Sequence, residues 1–183
     1  MSFGHLEADE FGAMNDWLAL APSAIVVHGT LGVNVSLNDM ADRQPHSLAD
    51  GASLELGAKR VTWIDTPQLP HGREAGLLFE TTTATLFAGD LFTIPGRVQP
   101  TSEDEIVTPA LEGEDRFHPT ALTASTAPKI RGLAQLALRT IATMHGPAYT
   151  GGCTAALEAL GDGYDARFRA SLRADAIDPP RRA

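Results

Sequence analysis

The segment His5-Leu6-Glu7-Ala8-Asp9-Glu10 constrains this chain more than any other stretch. It places one imidazole and three carboxylates just ahead of an apolar run that starts at Phe11. Alternate residues of an extended segment point the same way, so His5, Glu7 and Asp9 can converge on one side. Convergent carboxylates repel each other unless a cation or a proton sits between them. The mixed nitrogen and oxygen donors suit iron, manganese or zinc, and the lack of thiolates argues against a structural cysteine-type zinc site. The same residues also read as an acidic helix start beside a surface histidine, because carboxylates are favoured in a helix's first turn.

Three later segments each offer one ligand-type side chain. Asp65-Thr66-Pro67-Gln68-Leu69-Pro70-His71-Gly72 leaves a strand, and its two prolines stiffen a loop that presents His71. In Leu86-Phe87-Ala88-Gly89-Asp90-Leu91-Phe92 a carboxylate sits between apolar pairs at a strand end. An unpaired carboxylate is expensive to bury there. Ile141-Ala142-Thr143-Met144-His145-Gly146-Pro147 again sends a histidine off an apolar strand. Each has a bland alternative: an exposed turn histidine, a turn-capping aspartate, a satisfied strand-end histidine. Together they put ligand-type residues at the ends of four segments, where sites in layered folds are commonly built.

Periodicity supports a layered α/β fold. Residues 10–21 read as a helix with Phe11, Met14, Trp17, Leu18 and Ala21 on one face. Residues 23–28 read as a buried strand, 30–40 as a short helix and 39–50 as loop. Strands are expected at 53–56, 60–65, 75–80, 84–88 and 139–144. Helices are expected at 102–117, with Ser102 as N-cap and Glu105 completing a capping box, at 126–138, and at 152–173. Trp17 and Trp63 are expected in the core. His28, ending a buried strand, is expected behind the site at most; His46, His118 and Cys153 are given no role. The chain divides into one domain over 1–174 and a flexible tail over 175–183.

A formal net charge of -9, from 14 basic and 23 acidic residues, disfavours nucleic acid and anionic membranes as partners. A single cysteine excludes an intrachain disulfide and suits a reducing compartment. No basic-then-apolar leader is visible at the N-terminus, and Pro22 breaks the longest apolar run. A cytoplasmic location is expected.

Taken in order, H-x-E-x-D followed by His71, Asp90 and His145 resembles the metallo-β-lactamase superfamily, in its flavodiiron or oxygen-binding di-iron subgroup. Glu7 stands where most members carry a second histidine. The spacings are similar too: His71 follows Asp9 by 62 positions, Asp90 follows by 19 and His145 by 55. "DTPQLPHG", "LFAGDLF" and "MHGPAYTGG" are similar to that subgroup's later ligand loops. The resemblance implies an αβ/βα sandwich with two metal ions at one edge, iron favoured and zinc or manganese open. His5, Glu7 and His71 would hold one ion, Asp9 and His145 the other, and Asp90 would bridge them. Many members have a histidine where this chain has Glu10, so Glu10 is either a harder ligand of the second metal or a residue turned away. In that family several strands and a helix precede the first ligand loop. The resemblance therefore implies a sandwich incomplete at its N-terminus, with an exposed sheet edge and core.

Three functions follow as expectations. One is an oxidoreductase that acts on O2 or NO, with a separate flavoprotein as electron donor and no FMN site of its own. Another is a two-metal hydrolase of an ester, lactone or amide. The third is a non-catalytic metal-binding sensor or remnant. The substrate is a small molecule in the first two, and a homodimer is left open.

Overall fold

The computed structural model describes residues 1–177. The tail expected from 175 onward lies outside the described residues past Ile177.

The chain opens with an extended segment, then α1 (Ala8–Phe11) and α2 (Met14–Leu20). A single helix was expected over 10–21; it is broken at Gly12-Ala13 and starts earlier, inside the acidic motif. Glycine is a weak helix former, and the break lets α2 turn Met14 and Leu18 inward. Trp17 is not core as expected: it is 59% exposed. The inward stripe is only two residues wide, and the space beneath it is filled by Phe3, Val26, Val33 and Leu37.

β1 (Val27–Gly29) is shorter than the expected strand. Residues just before it are occupied by Met1, whose ammonium donates to Ile25 O and whose carbonyl accepts from Val27 N. A helical stretch follows as α3 (Thr30–Gly32), a π-helical turn (Val33–Leu37) and α4 (Asn38–Met40). β2 (His46–Leu48) lies in the stretch expected as loop. Only Leu48 of its three residues is buried, too little for a visible pattern, and its parallel pairing with β1 is what makes it a strand.

The second sheet contains β3 (Ser53–Leu56), β4 (Lys59–Asp65), β5 (Gly76–Glu80), β6 (Thr85–Phe87), β7 (Thr101–Ser102), β8 (Thr140–Ala142) and β9 (Ala148–Tyr149). Their order is β3-β4-β5-β6-β8-β9-β7. α5 (Val107–Phe117) and α6 (Thr126–Ala134) lie between β7 and β8, and α7 (Cys153–Ile177) is the last element among the described residues. The capping box expected at Ser102 is replaced by another cap. Ser102 belongs to β7, and the Glu105 carboxylate accepts from Val107 N and Thr108 N at the true helix start.

These elements stack in four layers. Val27, Leu48 and Trp63 fill the space between the sheets. α5, α6 and α7 cover the far face of the larger sheet, with Ala110, Ile130, Leu157 and Leu160 in one core with Leu86 and Ile141 of the strands. α2 and the 30–40 helical stretch cover the smaller sheet. This is the αβ/βα arrangement expected, with a first sheet of only two strands. Beside that short sheet the larger one opens into a trough of about 1250 Å³, lined in part by Ile25, Leu56, Phe87 and Met144.

The topology also positions the site. β4 runs antiparallel to β5 and β5 to β6, so β4 and β6 point the same way, and β8 is parallel to β6. The C-terminal ends of β4, β6 and β8 therefore lie at one end of the sheet. Those ends lead directly into the loops of His71, Asp90 and His145.

Candidate metal centre

Each loop is held by backbone bonds that continue the sheet. Gly76 N donates to Gly4 O at 2.8 Å, which docks the His5 segment against the start of β5. The His71 loop folds on itself: Thr66 Oγ1 donates to Leu69 O at 2.8 Å and Gln68 N to Gly72 O at 2.7 Å. Ala88 N donates to Ala142 O and Met144 N to Gly89 O, both at 2.8 Å. These bonds carry the β6–β8 pairing past the strands and bring Asp90 beside His145.

The side chains then converge. His5 Nε2 lies 2.8 Å from His71 Nε2. Two imidazole nitrogens can face each other at that distance only with a proton or a cation to share. Glu7 reaches both rings, with one oxygen 3.5 Å from His5 Nε2 and the other 3.3 Å from His71 Nε2. His5, Glu7, His71 and Asp90 each offer a ligand atom, all within 4.8 Å of one another. A second group sits alongside: His145 Nε2 is 3.0 Å from Asp9 Oδ2.

Asp90 faces both groups with different oxygens. Its Oδ2 is 3.8 Å from His5 Nε2 and 3.6 Å from His71 Nε2, while its Oδ1 is 3.6 Å from His145 Nε2. Oδ1 is buried and has no hydrogen-bond partner. A buried, unsatisfied carboxylate oxygen aimed at a histidine is poorly explained by protein contacts alone. A cation held beside His145 would give it a partner. The donors present, imidazoles and carboxylates without thiolate, fit iron or manganese, and also zinc.

The electrostatics agree. Burial raises the Asp90 carboxyl above its ordinary value, against the pull of His5, His145 and His71. Burial would lower His5, but Glu10, Asp90 and Glu7 outweigh it and raise its pKa to about 9. The imidazolium thus takes the place of a cation among the carboxylates. The hydrogen bond from His145 lowers Asp9.

The structure brings His5, Glu7, Asp9, His71, Asp90 and His145 together. Glu10 is near but turned away from His145; its carboxylate contacts His5 and the Gly4 backbone. Sequence reasoning missed Glu74, whose Oε1 accepts from Leu6 N at 3.3 Å and steadies the motif between His5 and Glu7. No spacing or pattern marked Glu74. His28 lies behind the site, fully buried, with its ring 4.7 Å from that of Trp63.

No protein-family model matches the chain, and no curated protein matches it by sequence. Solved structures do. Rubredoxin oxygen:oxidoreductase from the anaerobe Desulfovibrio gigas superposes with a TM-score of 0.73 at 18% identity, over 90% of this chain and 43% of that one. A chemotaxis sensor, ODP, in a peroxy diiron form superposes at 0.70 and 20% identity, over 91% of this chain and 73% of that one. The flavodiiron protein from Giardia intestinalis superposes at 0.72 and 17% identity, over 89% and 41%. The chain has the metallo-β-lactamase fold. It spans less than half the length of the first and third of these proteins. Within that fold the ligand-type residues of this chain occupy the loops at one end of the larger sheet, where the geometry above already places a site.

Proposed function

We propose that the chain carries a dinuclear metal centre of flavodiiron type, with iron the favoured metal, and that the centre reacts with O2 or NO. The observation that carries this reading is Asp90, whose two oxygens face two separate donor groups. His5, Glu7 and His71 would hold one ion, Asp9 and His145 the other, with Asp90 shared. A bound iron pair supplies a small-molecule site that can pass electrons. The protein's part is to fix six donors on loops braced by the sheet. Glu7, Asp9 and His145 are about half exposed, so this side of the site is open to solvent. A cavity of about 380 Å³ borders His145 and is lined by Thr93, Ile94, Pro95 and Gly96. It is large enough for a small substrate to approach from the His145 side. Electrons would come from a separate flavoprotein.

No helix among the described residues is long and apolar enough to cross a membrane. The proposal includes a reducing cytoplasmic setting, which suits a single buried thiol and an iron centre.

A sensor role is the second reading. It is favoured by the coverage: the chain spans a larger share of the chemotaxis sensor than of the flavodiiron chains. Expression in iron-supplemented medium followed by metal analysis tests both. Two irons per chain with sustained O2 or NO consumption under a chemical reductant supports the oxidoreductase. Two irons with a single stoichiometric reaction supports the sensor. Zinc with turnover of a chromogenic ester or lactone would replace both by a hydrolase. Less than one metal per chain would end the dinuclear reading.

A further inference from the structure

Glu10 is the acidic residue of the motif that the centre does not use. Its side chain is only 5% exposed. Oε2 accepts from the amides of Gly4 and His5, the latter at 3.2 Å. Oε1 faces His5 Nδ1 at 3.1 Å, an ion-pair contact, and neither buried atom has a hydrogen-bond partner. Such contacts often tighten only when the site is filled. The carboxylate is wedged between two backbones: a Cβ on Gly4 would lie 3.1 Å from Oε1, and one on Gly89 would lie 3.4 Å from it. Gly4 precedes His5 and Gly89 precedes Asp90, so Glu10 sits where two ligand loops meet. Among the described residues, the carboxylates within 4.0 Å of His145 are those of Asp9 and Asp90, not of Glu10.

We propose that Glu10 is a positioning residue for His5 and not a metal ligand, so that the two metal positions are unequal. This inference rests on the dinuclear reading above. A carboxylate on Nδ1 holds the proton there and turns the Nε2 lone pair toward His71, Glu7 and Asp90. Partners of this kind fix the tautomer and ring orientation of a ligating histidine. The first position then has four protein donors, one of them braced from behind. The second has three, Asp9, His145 and one Asp90 oxygen, of which the first two are half exposed. A metal at the second position would have fewer protein donors, two of them half exposed, and would bind more weakly.

The test is anaerobic titration of the whole chain with Co2+ against a competing chelator, with visible absorption reporting coordination. The wild type should take up one tight and one weaker equivalent. Glu10→Gln and Glu10→Ala should weaken the tight equivalent by about 10- to 100-fold and leave the weaker one unchanged. Asp9→Ala should do the reverse. Gly4→Ala leaves every donor in place but pushes on the Glu10 carboxylate, so it should weaken the tight equivalent as well. It also serves should the Glu10 variants fail to fold. Nitrogen-detected NMR of the zinc-loaded wild type should show His5 protonated at Nδ1. Selective loss of the weaker equivalent in Glu10→Ala would make Glu10 a ligand and overturn the inference. A wild type that binds no second Co2+ would overturn the dinuclear reading instead.

Discussion

At the residue scale the centre depends on which atoms are shared. Asp90 reaches both donor groups, whereas among the described residues Asp9 contacts His145 and Glu7 contacts the two facing imidazoles. Asp90→Ala should therefore lose both metals, while Asp9→Ala keeps one; metal-to-protein ratios after dialysis check this, and equal losses would contradict a bridge. Protons compete for the same donors. His5 is raised from 6.5 to about 9, so its proton stabilises the metal-free fold fully below about pH 6.5 and progressively less as pH rises through 9. A metal must displace that proton. The apparent affinity of the tight equivalent should rise with pH by about tenfold per unit between 7 and 9. A pH-independent affinity, measured by the same chelator competition, would mean that no proton leaves His5 on metal binding and that its pKa is not raised. The candidate donors were legible only as an ordered set, because each alone also reads as a turn histidine, a turn-capping aspartate or a satisfied strand-end histidine. The orientation of Glu10 was not legible, because a carboxylate that caps two amides has the same sequence as one that binds a metal.

At the element scale, the larger sheet carries the site and its helices carry the stability. Leu157 is fully buried on α7 among Leu86, Ile130 and Ile141. Leu157→Ala should cost about 2–5 kcal/mol in denaturant unfolding. It should leave the metal-to-protein ratio unchanged, since α7 contributes no donor. A variant that lost metal while still folded would show that the ligand loops depend on this packing. Five strands of the larger sheet, β3, β4, β5, β6 and β8, were legible as short apolar or alternating runs, as β4 shows with Val61 and Trp63 buried between more exposed neighbours. Helices with long apolar stripes were legible as well. β2, β7 and β9 were not, because strands of two or three residues carry no period and exist only through their partners. The helix break at Gly12-Ala13 was hidden for a similar reason: Trp17 fits the helical period but packs against nothing that the sequence could show.

At the scale of the whole molecule, the proposed donors run from His5 to His145 and so join the first loop to the last strand pair. The two donors of the second group, Asp9 and His145, are 136 residues apart. Sites of this kind do not exist in the unfolded chain, so the free energy of metal binding adds to the stability of the fold. The donor cluster also holds a buried Asp90 oxygen without a hydrogen-bond partner and two imidazole nitrogens facing each other at 2.8 Å. A cation would serve both at once. At a free metal concentration 100 times the dissociation constant, one bound metal contributes about 2.7 kcal/mol. For a domain of this size that corresponds to a rise in Tm of about 5–11 °C. Calorimetry with and without a chelator should show that rise in the wild type and almost none of it in Asp90→Ala. Because the donors come from the N-terminal segment and from the loop after β8, that segment and the β8–β9 loop should also gain protection from hydrogen exchange together when metal is added. Protection confined to one of them would mean that the two donor groups fill independently and that Asp90 does not couple them.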